Sequence, residues 1–185
     1  MSDFNPGRRR VMQAVGAGLL MPGLAPAVIA SVKDRPQLTD GVQSGDLQGD
    51  RAMIWSRADR PAQMVVEWDT RSQFRHPRRV VSALADARSD FTARVELTGL
   101  PADQAIFYRV YFKDARTGVA SEPWLGHLRS APTARRNIRF VWSGDTVGQG
   151  FGINPDIGGM RIYEAMRMRL PDFFIHSGDT IYADG

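Results

Sequence analysis

Cysteine is absent from the 185 residues of this sequence. Disulfide bonds and thiolate metal sites are therefore excluded, whatever compartment the protein occupies. The sequence also lacks an apolar run long enough to cross a membrane. It has no basic tract with interleaved aromatic residues, which argues against nucleic-acid binding. What remains is the composition of an ordinary globular protein, with 43% hydrophobic residues, 24% charged residues and a formal net charge of +4.

The first 30 residues have the features of a targeting segment. Arg8–Met12 resembles a twin-arginine export signal, in which two arginines precede apolar residues. A weakly apolar stretch follows, and either Ala25–Ala27 or Val28–Ala30 provides a small-residue cleavage site. An exposed basic arm is the alternative. We predict that residues 1–30 are an export signal for the twin-arginine translocation machinery, and that the mature protein resides in the periplasm or outside the cell.

From residue 38 to residue 130 the sequence has the period-two alternation of β-strands. Turn residues separate the alternating stretches, and a total of about 90 residues is the usual size of a two-sheet sandwich. We therefore predict a β-sandwich domain over residues 38–130. The clearest alternation occurs in Ala52–Arg57, Met64–Trp68, Phe91–Leu97 and Ile106–Phe112.

Aromatic residues refine this prediction. The segment Leu100–Tyr108 is similar to the corner before a late strand in fibronectin type III domains, so Tyr108 and the alternate residues after it are expected to face the core. Trp55 and Trp68 are candidates either for a carbohydrate-binding platform or for the core. We favour the core for both, because buried aromatic side chains dominate the cores of sandwich domains.

After a short polar linker at residues 131–137, the pattern changes to strand, helix, strand. Ile138–Trp142 and Phe173–His176 have strand character, and Gly159–Leu170 has helical spacing until Pro171 ends it. Two adjacent parallel strands need a crossover of this kind, which is usually helical. We therefore predict the first βαβ unit of an α/β domain after the linker.

Asp145 and Asp179, each preceded by a glycine, stand at the carboxyl ends of these two strands. Open α/β folds place ligands at this edge of the sheet. Two carboxylates so close together require either a shared proton or a metal ion. Tyr182 and Asp184 add oxygen donors, and an all-oxygen set suits Ca(II), Mn(II) or Fe(III). The alternative is that the glycines make turns and the aspartates cap the segments that follow.

Other polar residues lie near this predicted edge. Residues 146–158 form a glycine-rich loop before the helix, which either binds phosphate through backbone N–H groups or is merely flexible. We expect Asn154 and Asp156 to reach the site from this loop, and Thr180 to reach it from beside Asp179. His176 is predicted to be a buried histidine that supports the ligands or the fold, and not itself a metal ligand.

Two motifs resemble one known family. Phe174–Tyr182 looks like the H-x-G-D-x-I-Y block of PhoD-type alkaline phosphatases, a branch of the calcineurin-like metallophosphoesterase superfamily. Phe140–Asp145 looks like the first metal motif of the same family. The N-terminal half is similar to the small β-sandwich that precedes the catalytic domain in these enzymes. Val147 stands where the wider superfamily has a histidine ligand, a departure that fits the PhoD branch.

The resemblance implies particular roles for these residues. Asp179 would bridge two metals, Tyr182 would ligate one of them, an iron(III) in family members, and Asp145 would be the first metal ligand. The implied cofactor is a dinuclear centre of Fe(III), of divalent ions such as Ca(II) or Mn(II), or of both. No further catalytic residue is implied within this chain.

The family's third motif, Gly-Asn-His followed by an acidic residue, has no counterpart in this sequence. We therefore expect an N-terminal fragment, in which residues 138–185 are the incomplete start of a metallophosphatase domain. The implied activity is that of an exported metal-dependent phosphatase or phosphodiesterase, with a phosphate monoester, a diester or a phospholipid as substrate. The alternative is a secreted, non-catalytic β-sandwich fragment, in which residues 133–185 would be poorly ordered.

Overall fold

The computed structural model describes residues 34–148, 154–180 and 182. The predicted export signal at residues 1–30 and the predicted ligand Asp184 lie outside these residues, as do Gly150 and Gly152 of the glycine-rich loop. Within the described residues, β-strands predominate and helix is scarce. The helix found there is neither long enough nor apolar enough to span a membrane.

Seven strands in the described part of the chain form two antiparallel sheets. One sheet has the order β1-β2-β5, and the other has the order β4-β3-β6-β7. These strands are β1 (Leu38–Gln48), β2 (Arg51–Ala58), β3 (Ala62–Asp69), β4 (Arg78–Ala85), β5 (Thr92–Leu97), β6 (Ala105–Asp114) and β7 (Trp124–Arg129). All four of the clearest alternating stretches in the sequence therefore coincide with strands.

The two sheets share one hydrophobic core, which makes this region a β-sandwich. On β6, Tyr108 is 5% exposed and Phe112 is completely buried, as the alternation predicted. Ile54 of β2 and Val66 of β3 are also completely buried, so each sheet contributes to the same core. Burying a side chain of this size stabilises a fold by about 1.5–3 kcal/mol. The alternating segments form strands here because a second sheet covers their apolar face.

The two tryptophans of the sandwich have different surroundings. Trp68 on β3 is 3% exposed and belongs to the core, as predicted. The core prediction is wrong for Trp55, which lies half-buried on the outer face of β2. The cause is the strand register, which turns Ile54 and Ser56 inward. Ser56 is tolerated in the core because its hydroxyl donates a hydrogen bond of 2.8 Å to the carbonyl oxygen of Gly41.

Glycine is required at one position of β7. Gly126 pairs with Tyr108 of β6, and the Tyr108 ring covers the place where a Cβ atom would be, at only 2.3 Å. Tyr108 is buried and is held by its neighbours in the core. Close approach of an aromatic ring to a strand glycine is a recurrent reason for glycine inside a strand.

A separate parallel sheet follows the sandwich. It consists of β8 (Phe140–Ser143) and β9 (Phe173–His176), with α1 (Arg161–Arg167) in the connection between them. The register pairs Phe140 with Phe173 and Ser143 with His176. Phe140 and Phe173 stack with ring centroids 5.6 Å apart, yet they are 53% and 47% exposed. This sheet therefore lacks the apolar cover that the sandwich has.

The helix is shorter than the helical spacing from residue 159 to residue 170 predicts. Gly158 and Gly159 have positive φ angles of 86° and 61°, which are not helical, and Leu170 has a φ of 50°. Ile162 and Leu170, which belong to the predicted apolar face, are 56% and 77% exposed. Hydrophobic spacing indicates a helix, but its ends depend on backbone conformations that the spacing does not encode.

The junction between the sandwich and the parallel sheet is held by Arg136, which lies in the predicted linker at 131–137. Its guanidinium donates to both carboxylate oxygens of Asp172, at 3.2 and 2.8 Å. Its Nε atom makes an ion-pair contact of 3.0 Å with Asp103 of the sandwich. Asp172 also accepts a hydrogen bond of 2.9 Å from the backbone N–H of Arg139. This linker is therefore anchored to both of the regions that it joins.

Candidate active site at the edge of the parallel strands

Backbone hydrogen bonds continue past the ends of β8 and β9 and tie together the two turns that carry the predicted aspartates. The N–H of Asp145 donates to the carbonyl of Gly178 at 3.1 Å, and the N–H of Thr146 donates to the carbonyl of Asp179 at 2.7 Å. Asp145 therefore lies beside Gly178 and not directly beside Asp179. The two aspartates reach the same edge of the sheet with a stagger of one residue.

Both aspartates have a left-handed backbone conformation. The φ angle is 53° at Asp145 and 55° at Asp179, and Gly178, which directly precedes Asp179, has a φ of 103°. Such angles are uncommon outside glycine, although aspartate and asparagine tolerate them best. Unusual backbone conformations concentrate at functional sites, where the surrounding structure maintains them. Asp46, Asp90 and Asp103 have the same conformation elsewhere in the described residues, so it does not by itself mark a site.

Tyr182 shares this edge with the two aspartates. Its hydroxyl donates a hydrogen bond of 3.3 Å to Asp179 Oδ2. Burial raises the pKa of Tyr182 above its ordinary value, and the negative charges of Asp145 and Asp179 raise it further. The carboxylates of Asp145 and Asp179 and the phenol of Tyr182 therefore bring oxygen atoms of three side chains close together.

This oxygen set fits a hard cation, but it is incomplete. A bound cation would favour the ionised phenol, which the two carboxylates by themselves oppose. Within residues 34–148, 154–180 and 182, however, no group of three or more histidine, aspartate, glutamate or cysteine side chains is arranged to hold a metal. Asp145, Asp179 and Tyr182 would therefore supply only part of a coordination shell, and a dinuclear centre would need additional ligands.

His176 is half-buried and contacts both aspartate-bearing turns. Its Nε2 atom lies 2.6 Å from the Thr146 hydroxyl, and its Nδ1 atom accepts a hydrogen bond of 3.2 Å from the backbone N–H of Gly178. The Thr146 hydroxyl in turn lies 2.5 Å from the hydroxyl of Tyr163 on α1. Both ring nitrogens are therefore occupied by protein groups.

The other predicted residues lie around this edge in different ways. Asn154 caps its own turn, since its side-chain oxygen accepts a hydrogen bond of 2.9 Å from the backbone N–H of Asp156. Asp156 and Thr180 are exposed. Among the described residues, no hydrogen bond or ion pair joins Asn154, Asp156 or Thr180 to Asp145, Asp179 or Tyr182.

An open cleft of about 1010 Å³ separates this edge from the sandwich. His176, Thr180 and Tyr163 line one side of it, whereas Ser44 of β1 and His127 of β7 line the other. Asp145, Asp179 and Tyr182 do not line this cleft, so the sandwich meets the neighbours of the aspartates there and not the aspartates themselves.

Comparison with protein families gives two adjacent matches. Residues 23–132 match the N-terminal domain of PhoD-like phosphatases, and residues 140–185 match the PhoD-like phosphatase domain itself. The first match alone covers more than half of the chain. The chain belongs to the PhoD-like phosphatase family. The resemblance inferred from its Gly-Asp motifs is thereby confirmed.

Solved structures add information about the fold of this PhoD-like chain. A structure of PhoD matches with a TM-score of 0.60 and 21% sequence identity, and the match covers 77% of this chain and 27% of that one. This chain thus spans about a quarter of that relative. A redesigned β-sandwich protein matches with a TM-score of 0.41 and 11% identity, covering 54% of this chain and 97% of that one. A purple acid phosphatase from yellow lupin (Lupinus luteus) seeds matches with a TM-score of 0.40 and 15% identity, covering 60% and 22%. No curated protein sequence matches the chain.

Sequence reasoning about this PhoD-like chain missed Thr146. The signal was present, because Ser-Gly-Asp-Thr occurs twice, at residues 143–146 and 177–180. The repeat alone would have indicated that the residue after each aspartate belongs to the edge. It would not have revealed the one-residue stagger, which places Thr146 beside Asp179.

Proposed function

We propose that this chain is the N-terminal part of an exported, metal-dependent phosphoric ester hydrolase. Family membership supports the hydrolase, and the pattern of residues 1–30 supports export through the twin-arginine machinery to the periplasm or the medium. Residues 38–130 would be the fibronectin type III-like sandwich, and residues 131–137 the linker. Residues 138–185 would be the first βαβ unit of the catalytic domain.

The observation that carries this proposal is the convergence of Asp145, Asp179 and Tyr182 on one edge of the parallel sheet. These three side chains would hold the metals, with Fe(III) and a divalent ion such as Ca(II) or Mn(II) as candidates. When bound, the metals would supply positive charge for the phosphoryl oxygens and acidify an attacking water. The remaining ligands would come from residues outside the described part of the chain.

The protein groups themselves have two tasks in this proposal. Asp145 and Asp179 present carboxylates from turns that are joined by backbone hydrogen bonds, which limit how far the two turns can move apart. Thr180, which is exposed beside Asp179 and lines the cleft, is placed to donate its hydroxyl to a phosphate ester. Monoesters, diesters and phospholipids are the candidate substrates that the family resemblance implies.

Asp179→Asn in the full-length protein tests this function. Asparagine keeps the left-handed backbone conformation but removes the negative charge that binds the cation. We expect metal content, measured by elemental analysis, to fall together with the hydrolysis of p-nitrophenyl phosphate and of a diester analogue. The loss should exceed about 100-fold, since residues that merely support a metal ligand cost 10–100-fold when removed.

Asp90→Asn is the matched control. Asp90 has a φ of 50°, close to that of Asp179, and lies in the loop before β5 with an exposed ion pair to Arg57. Exposed ion pairs of this kind contribute little to stability. This variant should keep its metal and its activity. Wild-type activity in Asp179→Asn, or equal losses in both variants, would contradict the assignment of Asp179.

A second candidate function is a secreted, non-catalytic sandwich module. It is favoured by the exposure of the apolar side chains on β8 and β9, and by the incomplete ligand set of the described residues. Amide hydrogen exchange separates the two candidates. Fast exchange throughout Phe173–His176, with no metal and no turnover in the full-length protein, would support the module. Slow exchange there together with bound metal would exclude it.

A further inference from the structure

The imidazole ring of His176 bridges the two turns that carry Asp145 and Asp179. One ring nitrogen contacts Gly178, which directly precedes Asp179, and the other contacts Thr146, which directly follows Asp145. The ring therefore adds a side-chain link to the backbone hydrogen bonds between the turns.

The direction of the Gly178 hydrogen bond indicates the tautomer of the ring. A backbone N–H can only donate, so the Nδ1 atom that faces Gly178 must carry a lone pair. In the neutral ring the proton is then on Nε2, which donates to the Thr146 hydroxyl at 2.6 Å. The Thr146 hydroxyl also lies 2.5 Å from the Tyr163 hydroxyl, and either of these two groups can donate in that contact. Hydrogen bonds thus connect His176 through Thr146 to Tyr163.

Aromatic contacts hold the ring in this orientation. The Phe174 ring meets His176 edge-on, with centroids 5.7 Å apart and an interplanar angle of 87°. It meets Tyr163 in the same way, at 5.9 Å and 85°. Phe174 therefore packs against both ends of the hydrogen-bonded series, and the position of α1 becomes coupled to the edge of the sheet.

We propose that His176 is a positioning residue: as the neutral, Nε2-protonated tautomer, it fixes the separation of the aspartate-bearing turns and connects them to Tyr163 of α1. The inference rests on the proposed function for what the two aspartates do. It adds a supporting residue whose hydrogen-bonding role can be tested without any metal.

Two substitutions separate the two contacts of the ring. In His176→Asn, the side-chain oxygen takes the place of Nδ1 and can still accept from Gly178, but the link to Thr146 is lost. In His176→Gln, the amide nitrogen takes the place of Nε2 and can still donate to Thr146, but the link to Gly178 is lost. His176→Ala removes both. His127→Asn, on β7 of the sandwich, is the control histidine.

The metal-free readouts are the imidazole ¹⁵N resonances of His176 and the amide exchange of Gly178, recorded on the 185-residue chain. We expect a protonated Nε2 and an unprotonated Nδ1. Gly178 should exchange about 10-fold faster in His176→Gln and His176→Ala, but not in His176→Asn or His127→Asn. Thr146→Val should shift the Nε2 resonance, and Thr146→Ser should restore it. The Thr146 variants retain the packing of the His176 ring, so they test its hydrogen bond to Thr146 even if His176→Ala does not fold.

The second readout is Mn(II) affinity and turnover in the full-length protein. His176→Ala should lose about 10- to 100-fold in affinity or kcat, the range for residues that orient metal ligands. KM should change less than kcat, because both ring nitrogens are engaged by Thr146 and Gly178 and neither is left to bind substrate. A proton on Nδ1, unchanged Gly178 exchange in His176→Ala, or wild-type Mn(II) affinity in that variant would overturn the inference. Absence of metal and turnover in the wild type would overturn the proposed function alone, since the tautomer and the Gly178 exchange would still decide the role of His176.

Discussion

The sandwich and the parallel strand pair contain similar side chains in very different surroundings. Phe112 of β6 is completely buried between two sheets, whereas Phe140 of β8 is 53% exposed on the two-stranded parallel sheet. Both belong to strands with strong apolar character. The difference teaches that local pattern determines where a strand forms, while burial depends on whether a second layer is available to cover it.

The same contrast separates stability from function in this chain. The sandwich has a complete core, and none of the proposed metal ligands lies in it. The parallel pair carries Asp145 and Asp179, but in the described residues it depends on short-range contacts and on the Arg136 junction for its position. The region that carries the candidate site is thus the region with the least packing of its own.

The largest expected effect comes from removing one phenylalanine in each region. Phe112→Ala should lower the free energy of unfolding by about 3–5 kcal/mol, because it leaves a cavity in a filled core. Phe140→Ala should change it by about 0.5 kcal/mol or less, as for an ordinary surface position. Urea denaturation followed by tryptophan fluorescence measures both. Equal losses would mean that the parallel pair is covered in solution.

The second prediction concerns glycine in a strand of the sandwich. Gly126→Ala places a methyl group 2.3 Å from the buried Tyr108 ring, so we expect a loss of about 1–3 kcal/mol in the same denaturation experiment. Gly45→Ala on β1 is the control, since a Cβ atom there meets nothing within 4 Å. That substitution should be neutral or slightly stabilising. A neutral Gly126→Ala would show that Tyr108 can leave its place in the core.

The smallest effect should appear at the junction between the two regions. The Arg136 guanidinium, together with the N–H of Arg139, lowers the pKa of the Asp172 carboxyl. A carboxyl with a lowered pKa in the folded state stabilises the fold above its unfolded pKa, about 3.9, and this contribution is lost as the pH falls through the folded value. We expect amide exchange in β9 to accelerate as the pH drops below about 4, after correction for intrinsic rates.

Arg136→Gln should accelerate exchange in β9 already at neutral pH and should reduce its acid dependence. Arg167→Gln, which removes an exposed pair with Glu164 on α1, is the matched control and should leave β9 unchanged. Identical exchange in the wild type and Arg136→Gln would show that Arg136 does not hold the parallel sheet in place.

Much of this fold was predictable from residue pattern alone. The alternation around Tyr108 located β6 and its buried face, and the two Gly-Asp motifs located the ends of β8 and β9. The position of Trp55 on the outer face of β2 was not predictable. Shifting the register of β2 by one residue would exchange the inner and outer faces of that strand. Pattern does not specify that register.

The candidate site was predictable in part for a similar reason. Spacing identifies Asp145 and Asp179 as strand-end residues, but their one-residue stagger depends on how two distant strands align. The sequence predicted His176 to be a histidine that supports the ligands or the fold, and not a ligand itself. Its contacts with Thr146 and Gly178 could be found only once both turns were placed. The spacing of residues along the sequence does not show which of them meet at the edge of a sheet.

The parallel pairing of β8 with β9 has a consequence for the order of folding. The hairpin that joins β1 to β2 closes over residues 49–50, whereas β9 reaches β8 only after residues 144–172. Closing a longer loop costs more chain entropy, and contacts between distant residues form slowly. We expect the sandwich to fold first and the parallel edge last, so its apolar strands remain open to other chains during that interval.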